Sequence, residues 1–441
     1  SICGENLYVS RVLTQRQDLP EGIDTSYTTY VTLSEFDGED GHHYLFVLNG
    51  RTHPEGQRHI TVKLTDLAEG EQWKVTQVRD LLTDGDIHIV RPSATPDSTT
   101  VANGFTDCFR PGEAKMYRLE SFADETLDFD GECLSGSIFI EPAATLRTKA
   151  TDHLKFPTAK GIFCDGDFYG ELTTYESCDT ELSWEGIVAR NSGQVTLSNV
   201  HMERGGVVAG SGGTSTVDNS TIQDASIALI NYGGTLTSTA TSSSGVFRHL
   251  SVVESGQTGN PHTFLTRDIS SGSAQYGSTA INVAFGDAAI DEIECQNFWR
   301  IIRATEGWID GDVDGFAPSD GLNNSLSSES IGLEIEWAGY IDFGETVSNP
   351  TSCARNLISI DDVNGYHAVA ESGSSIAARQ NWWDPLDLLA IPDPIHIQGT
   401  VLYNDVRTDT IPFAPLRGES FASGGKLGKS ATMAPPTSIR D

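Results

Sequence analysis

The sequence predicts an all-β chain, a right-handed parallel β-helix (solenoid) preceded by a small β-sandwich. Three observations predict it. Apolar and turn residues recur at a spacing of 20, as in Ile187, Val207 and Ile227 or Gly193, Gly213 and Gly233, which marks a repeat architecture. Glycine is abundant, 44 residues in 441, and stands among Ser, Thr and short apolar runs, a texture of strands and turns. No sustained helical period occurs anywhere along the chain.

Residues 1–26 form a lead-in segment. Its start, Ser1-Ile2-Cys3, carries neither an initiator Met nor a signal-peptide apolar core, so a processed or trimmed N-terminus is expected. Residues 27–122 read as the sandwich. Tyr44-Leu45-Phe46-Val47-Leu48 is an apolar run bounded by Gly41 and Gly50, and His59-Ile60-Thr61-Val62-Lys63-Leu64 alternates apolar with polar; both patterns belong to strands. Further strands are predicted at 73–78, 87–90 and 115–119, the last after the turn Pro111-Gly112.

Residues 133–403 read as the β-helix. At ~3.3 Å per residue, 20 residues trace roughly 65 Å, enough for one coil of three short strands with turns between them. Asn199 and Asn219 keep the same spacing and are placed, with the glycines, at corners that need left-handed backbone. Apolar runs at 281–286, 301–303, 332–335 and 357–360 extend the stack to about a dozen coils. Residues 395–403 supply a last strand that closes the open end, and the Gly-, Ser-, Lys- and Pro-rich residues 416–441 are a tail or linker.

Three local patterns carry a resemblance. Trp184-Glu185-Gly186-Ile187, followed by Gly193-Gln194-Val195-Thr196-Leu197-Ser198-Asn199-Val200, resembles an early coil of secreted bacterial right-handed β-helix repeat proteins. Asn381-Trp382-Trp383-Asp384-Pro385 resembles the Asn-aromatic-Trp-Gly-x-Pro signature near their end, with Asp384 where that family has Gly. The order of Tyr44-Leu45-Phe46-Val47-Leu48-Asn49, Trp73-Lys74-Val75-Thr76 and 111–119 resembles an accessory β-sandwich behind the catalytic domains of large secreted carbohydrate-active proteins. These resemblances imply a secreted, extracellular or cell-surface protein that is part of a longer polypeptide.

A formal charge of −34, from 62 acidic residues against 28 basic ones, opposes binding to phosphate backbones and anionic membranes. Nucleic acid is therefore excluded as the expected partner, and no apolar run reaches the roughly 20 residues of a membrane-spanning helix. Extracellular polysaccharide or other protein subunits remain. The acidic surface suits high salt or a calcium-rich exterior, and equally serves plain solubility. The seven cysteines, at 3, 108, 133, 164, 178, 295 and 353, show no zinc-site spacing. Cys164 and Cys178 are the expected disulfide, and Cys3 the odd cysteine.

Four groups of residues could carry chemistry. Asp361-Asp362 is the nearest adjacent carboxylate pair, the type of group that protonates a glycosidic oxygen or activates water; its alternative is a solvated turn. The Gly-His-Gly element that the family resemblance would also require is absent. Asp310, Asp312 and Asp314, with Gly311 and Gly315, form the first half of a calcium loop, and Asp320 stands one place before the expected closing ligand. His42, His43, His53 and His59 are exposed hairpin residues or, if two strands unite them, a transition-metal site. Trp299, Trp308 and Trp337 are expected to be packed rather than offered to a sugar. Asn219-Ser220-Thr221 and Asn323-Asn324-Ser325 match glycan-acceptor triplets. The expected function is a non-catalytic extracellular binding or structural (assembly) module. The rival is a carbohydrate-active enzyme, a polysaccharide hydrolase or lyase, or the C-terminal portion of one.

Overall fold

A computed structural model describes residues 5–10, 31–50, 58–64, 75–91, 104–122, 125–127, 129–253, 262–273 and 275–305. Beyond these it describes the strands 307–310, 325–336, 340–342, 357–360, 366–370, 375–377, 382–384, 397–398 and 400–402 by their backbone pairing. Every regular element among the described residues is a strand, and no helix among them is long and apolar enough to cross a membrane. The architecture is all-β with a parallel solenoid of about seven turns. The chain forms two compact units, Ser1–Thr216 and Val217–Asp441.

The first unit begins with strands β1 (Glu5–Ser10), β2 (Val31–Asp37), β3 (His43–Asn49), β4 (Arg58–Lys63), β5 (Val75–Asp80), β6 (Ile87–Val90), β7 (Gly104–Phe109) and β8 (Ala114–Phe122). An antiparallel sheet runs β2-β3-β8-β5-β6, and a second sheet runs β1-β4-β7. Their apolar faces meet: Leu45, Val47, Tyr117 and Leu119 from the first sheet share one core with Ile60, Val62, Phe105 and Phe109 from the second. Alternation explains the choice of residues, because successive side chains of a strand point to opposite faces, and β3 buries Leu45, Val47 and Asn49 while Tyr44, Phe46 and Leu48 are less covered.

Strand β6 is buried at all four residues. It pairs antiparallel with β5 on one side and parallel with Ile138–Ile140 on the other, setting Ile87 beside Ile138, His88 beside Phe139 and Ile89 beside Ile140. The antiparallel sheet therefore passes directly into the solenoid, and β6 reads as a continuous apolar run as strands covered on both faces do.

Three parallel ladders make up the coils of the first unit. One stacks Ile138, Ile162, Ile187 and Val207 inward, with Ile140, Cys164, Ala189 and Ala209 as a second inward column. The expected Ile187–Val207 equivalence is thus present, and Gly193 and Gly213 both close the turn that precedes the next strand, each donating its N–H to the carbonyl three residues back at 2.8 and 2.9 Å. A Cβ on either glycine would strike the backbone of the preceding coil, at Cys164 and Ala189 respectively. In the second unit Leu229, Leu250, Ile281 and Ile302 form the inward column. Ile227 is only half-buried, and Gly234 rather than Gly233 directly precedes its strand Thr235–Thr239 by one residue. The exact spacing of 20 is lost there because coils differ in length at their corners, where insertions leave the strands in place.

Fewer coils are regular than the dozen expected. From residue 294 onward one strand serves two faces: Glu294–Thr305 pairs with Ile269–Gly272 through its first half and with Thr279–Val283 through its second.

One corner is built the same way in successive coils. A residue in left-handed backbone is followed by a buried one: Thr151, Leu172 and Asn199 precede Asp152, Thr173 and Val200 in the first unit, and Asn219, Ala240, Arg267 and Glu292 precede Ser220, Thr241, Asp268 and Ile293 in the second. The ladder continues through the corner, with Leu172 N–H donating to Ser198 O at 3.1 Å and Ala240 N–H to Thr266 O at 2.8 Å. Asn199 and Asn219 occupy the left-handed positions expected of them, with φ of 54° and 45°.

The disulfide joins Cys133 to Cys178, whose Cα atoms are 5.7 Å apart, not Cys164 to Cys178. Cys164 points into the inward column between Ile140 and Ala189, and is a free, buried thiol like Cys295. Cys108 is also disulfide-bonded, and Cys3 lies outside the described residues.

Two predictions follow from this unit. Breaking the 45-residue disulfide loop with Cys178→Ala should cost about 4 kcal/mol or less by loop-closure entropy; denaturant midpoints unchanged by the substitution and by reductant would contradict it. At the junction of sandwich and solenoid, His88 Nδ1 lies 2.8 Å from Glu141 Oε1, both side chains buried. Burial opposes the imidazolium, but the hydrogen bond and charge of Glu141, with Asp107 and Asp86 nearby, outweigh it and hold the His88 pKa above its ordinary 6.5. The pair's contribution is complete below pH 6.5 and is lost as pH rises through the raised value. Glu141→Gln should destabilise the chain by about 3 kcal/mol below pH 6.5 and flatten the decline above it; parallel stability–pH curves for the two proteins would contradict this.

Candidate functional site

The second unit carries an aromatic and arginine-rich patch on one corner and the adjoining outer face. Phe247, Tyr276 and Trp299 come just before the strands Arg248–Val252, Thr279–Val283 and the second half of Glu294–Thr305. Each is therefore delivered near the same corner by successive coils. Tyr276 and Trp299 rings lie 4.7 Å apart at 52°, and Tyr276 is 56% exposed. Gly277, at φ 83°, permits the turn beside Tyr276, and the Trp299 N–H donates to Ser278 Oγ at 3.0 Å, fixing the backbone under the indole. Trp299 is partly buried, covered by Tyr276 and Arg300.

Guanidinium groups flank these rings. Register sets Arg248 in line with Thr279 and Arg300, and sets Ser251 in line with Asn282, Arg303 and Glu334. Leu250, Ile281 and Ile302 point inward, so strand alternation puts Ser251, Asn282 and Arg303 on the other face, where Ser251 and Asn282 are nonetheless buried and Arg303 is partly buried. Arg300 lies 4.7 Å above the Trp299 ring and Arg248 5.8 Å from the Phe247 ring, distances at which a cation is attracted by the ring face. Glu334 Oε2 forms an ion pair with Arg300 Nε at 2.8 Å and lies 3.7 Å from Arg303 Nε. Arg248 Nε is buried without a hydrogen-bond partner. Burial lowers the Arg248 pKa, and the neighbouring positive charge of Arg303 lowers it further.

A polar cluster lies inside the same unit. Ser243 Oγ is 2.9 Å from His249 Nδ1, and His249 Nε2 is 3.3 Å from Asp268 Oδ2, while Asp268 Oδ1 accepts the Thr241 N–H at 2.9 Å. The residue types are those of a hydrolytic triad. Their place is not, since all three are at most 2% exposed and face the interior; no substrate reaches Ser243 there. The cluster satisfies buried polar groups at a corner.

Asp291 was not singled out by sequence reasoning. It ends the strand Gly286–Asp291, where burial and then the charge of Glu292 push its pKa up to about 6, against an opposing pull from Arg267. Glu292 itself pairs with Arg267 at 2.6 Å.

Of the residues expected to act, Asp361 and Asp362 lie outside the described residues, as do Asp312, Asp314 and Asp320. Asp310 ends the strand Gly307–Asp310, paired with Ala289 and Asp342. His43 pairs with Asp37 at 2.5 Å beside the β2–β3 turn, His59 sits on β4 in the other sheet, and His53 lies outside the described residues, so His43 and His59 are not brought together. Among the described residues no three His, Cys, Asp or Glu side chains could hold a metal ion. Trp308 pairs with Asp287 and Tyr340 along the backbone, and Trp337 lies outside the described residues.

The interior placement makes a checkable claim. A sulfonyl fluoride should leave Ser243 unmodified in the folded chain, while Asp268→Ala should lower stability by about 3 kcal/mol through the orphaned His249 and Thr241 groups. A Ser243 adduct in the native protein, or an unchanged denaturation midpoint, would contradict the structural role. Compared with protein-family models, curated proteins and solved structures, the chain has no significant match in any of the three.

Proposed function

We propose that this chain is a non-catalytic extracellular binding module for polysaccharide, and that the corner carrying Tyr276, Trp299 and Phe247 with its adjoining arginines is the binding face. The observation that carries the reading is the exposed Tyr276, in the turn before the strand Thr279–Val283, set against the partly buried Trp299 of the next coil beside Arg300. Aromatic rings offer an apolar surface with little rotamer entropy to lose, and guanidinium groups supply planar donors for ring hydroxyls and acids. Sites on strands are positioned more precisely than sites on loops. A strongly acidic remainder, at a net −34, keeps the chain soluble and disfavours nonspecific association with anionic polymers away from this corner.

The reading is tested by titrating the full chain with a panel of soluble polysaccharides while following indole fluorescence. Binding that weakens at least about tenfold on Trp299→Ala, with an unchanged melting temperature, is expected. No binding to any member of the panel, or binding indifferent to Trp299, would overturn it.

A second reading, a polysaccharide hydrolase or lyase, is favoured by one feature, the partly buried Asp291 carboxyl whose pKa burial pushes up to about 6, the direction a general acid requires. Release of reducing ends that disappears in Asp291→Asn would favour this reading over the first.

A further inference from the structure

Resting on the binding reading above, we infer that Arg248 and Arg303 form a subsite for an oxyanion on the ligand, so that the polysaccharide bound at this corner is an acidic one bearing carboxylate or sulfate groups. The argument starts from register. Arg248 and Arg303 stand on strands separated by one intervening strand, that of Thr279–Val283, and Arg303 lies three residues beyond Arg300, the residue in line with Arg248, hence roughly 14 Å apart at the backbone. Two long side chains can close that span over Thr279 and Asn282. Their charges do meet, because the positive charge of Arg303 acts unfavourably on Arg248.

Such a pair is costly unless an anion lies between its members. Glu334 is engaged with Arg300 at 2.8 Å and stands next to Arg303 at 3.7 Å. For Arg248 no carboxylate among the described residues counters its charge, and its Nε is buried with no hydrogen-bond partner. A buried donor left unmade costs free energy that a partner recovers, and a guanidinium recovers most from a carboxylate or sulfate oxygen. The aromatic pair fixes what bears that oxygen. Trp299 links the two features, since its ring meets the tilted Tyr276 ring and is capped by the neighbouring Arg300. A sugar ring against Tyr276 and Trp299 carries its acidic substituent toward Arg248.

The experiment titrates the full chain with three probes: polygalacturonate for carboxylate, dextran sulfate for sulfate, and dextran as the neutral control, each at low and high salt. The wild-type chain is expected to bind at least one acidic probe, and which one identifies the oxyanion. Arg248→Ala should weaken that binding about tenfold and flatten its salt dependence, and Arg248→Lys, which keeps the charge without the fork, should restore the salt dependence but only part of the affinity. Melting curves establish that the variants are folded; should Arg248→Ala fail to fold, Arg248→Lys alone decides by its loss of affinity. Acidic-probe binding that is unaltered in both variants overturns the subsite. Dextran bound as tightly as the acidic probes and lost on Trp299→Ala also overturns the subsite while leaving the binding reading standing, and no binding to any probe defeats both.

Discussion

The structure depends on in-register stacking of one coil on the next. Each parallel ladder sets like residue on like, so Ile138, Ile162, Ile187 and Val207, or Leu229, Leu250, Ile281 and Ile302, become continuous apolar columns. Full burial of one such side chain is worth about 1.5–3 kcal/mol, and a slip of one residue would turn every inward side chain outward. The penalty is shared by all three ladders of a coil, which is why coil length varies at the corners and register shifts only at isolated bulges, such as Ser244–Val246 and Cys295–Arg300.

The corners meet a second demand. Turning the chain with only two residues requires left-handed backbone at the first, which costs an ordinary residue about 1–2 kcal/mol. Asn199 and Asn219 bear it readily, whereas Leu172 and Glu292 bear it because the ladder hydrogen bonds on either side leave no other path. The residue after it always points inward, and where it is Asp268 or Thr173 it must find partners inside. That demand produces the Ser243–His249–Asp268 cluster and the Thr148–Thr173 hydroxyl pair at 2.7 Å. The same geometry brings distant parts of the sequence together: Phe247, Tyr276 and Trp299 are separated by more than twenty residues each but come from three successive coils, and Arg248 and Arg303 stand on the first and third of them.

The fold class was legible because stacking writes itself into the sequence as a period. Ile187 with Val207, Gly193 with Gly213, and the left-handed Asn199 and Asn219 all follow from that period. Ile227 and Gly233 did not keep it, because a corner can gain a residue without cost and a count of positions then drifts. The disulfide was misassigned for a related reason: proximity in sequence suggested Cys164 with Cys178, but strand alternation aims Cys164 at the core. The site was the least legible part. Its residues come from three coils of unequal length, so no local motif contains them, and Trp299 looked like a core residue because only its neighbours in the adjacent coils reveal which side it faces. Buried His88, joined to Glu141 across the junction of sheet and solenoid, was invisible for the same reason.

The central claim is that a regular stack presents one working corner, and amide hydrogen exchange of the full chain with and without bound acidic oligosaccharide tests it most directly. Slowed exchange is predicted at 247–252, 276–283 and 299–304, with the strands of another ladder of the same unit, Thr235–Thr239 and His262–Thr266, unchanged. Protection confined to those other strands, or none at any ligand concentration that saturates binding, would contradict the account.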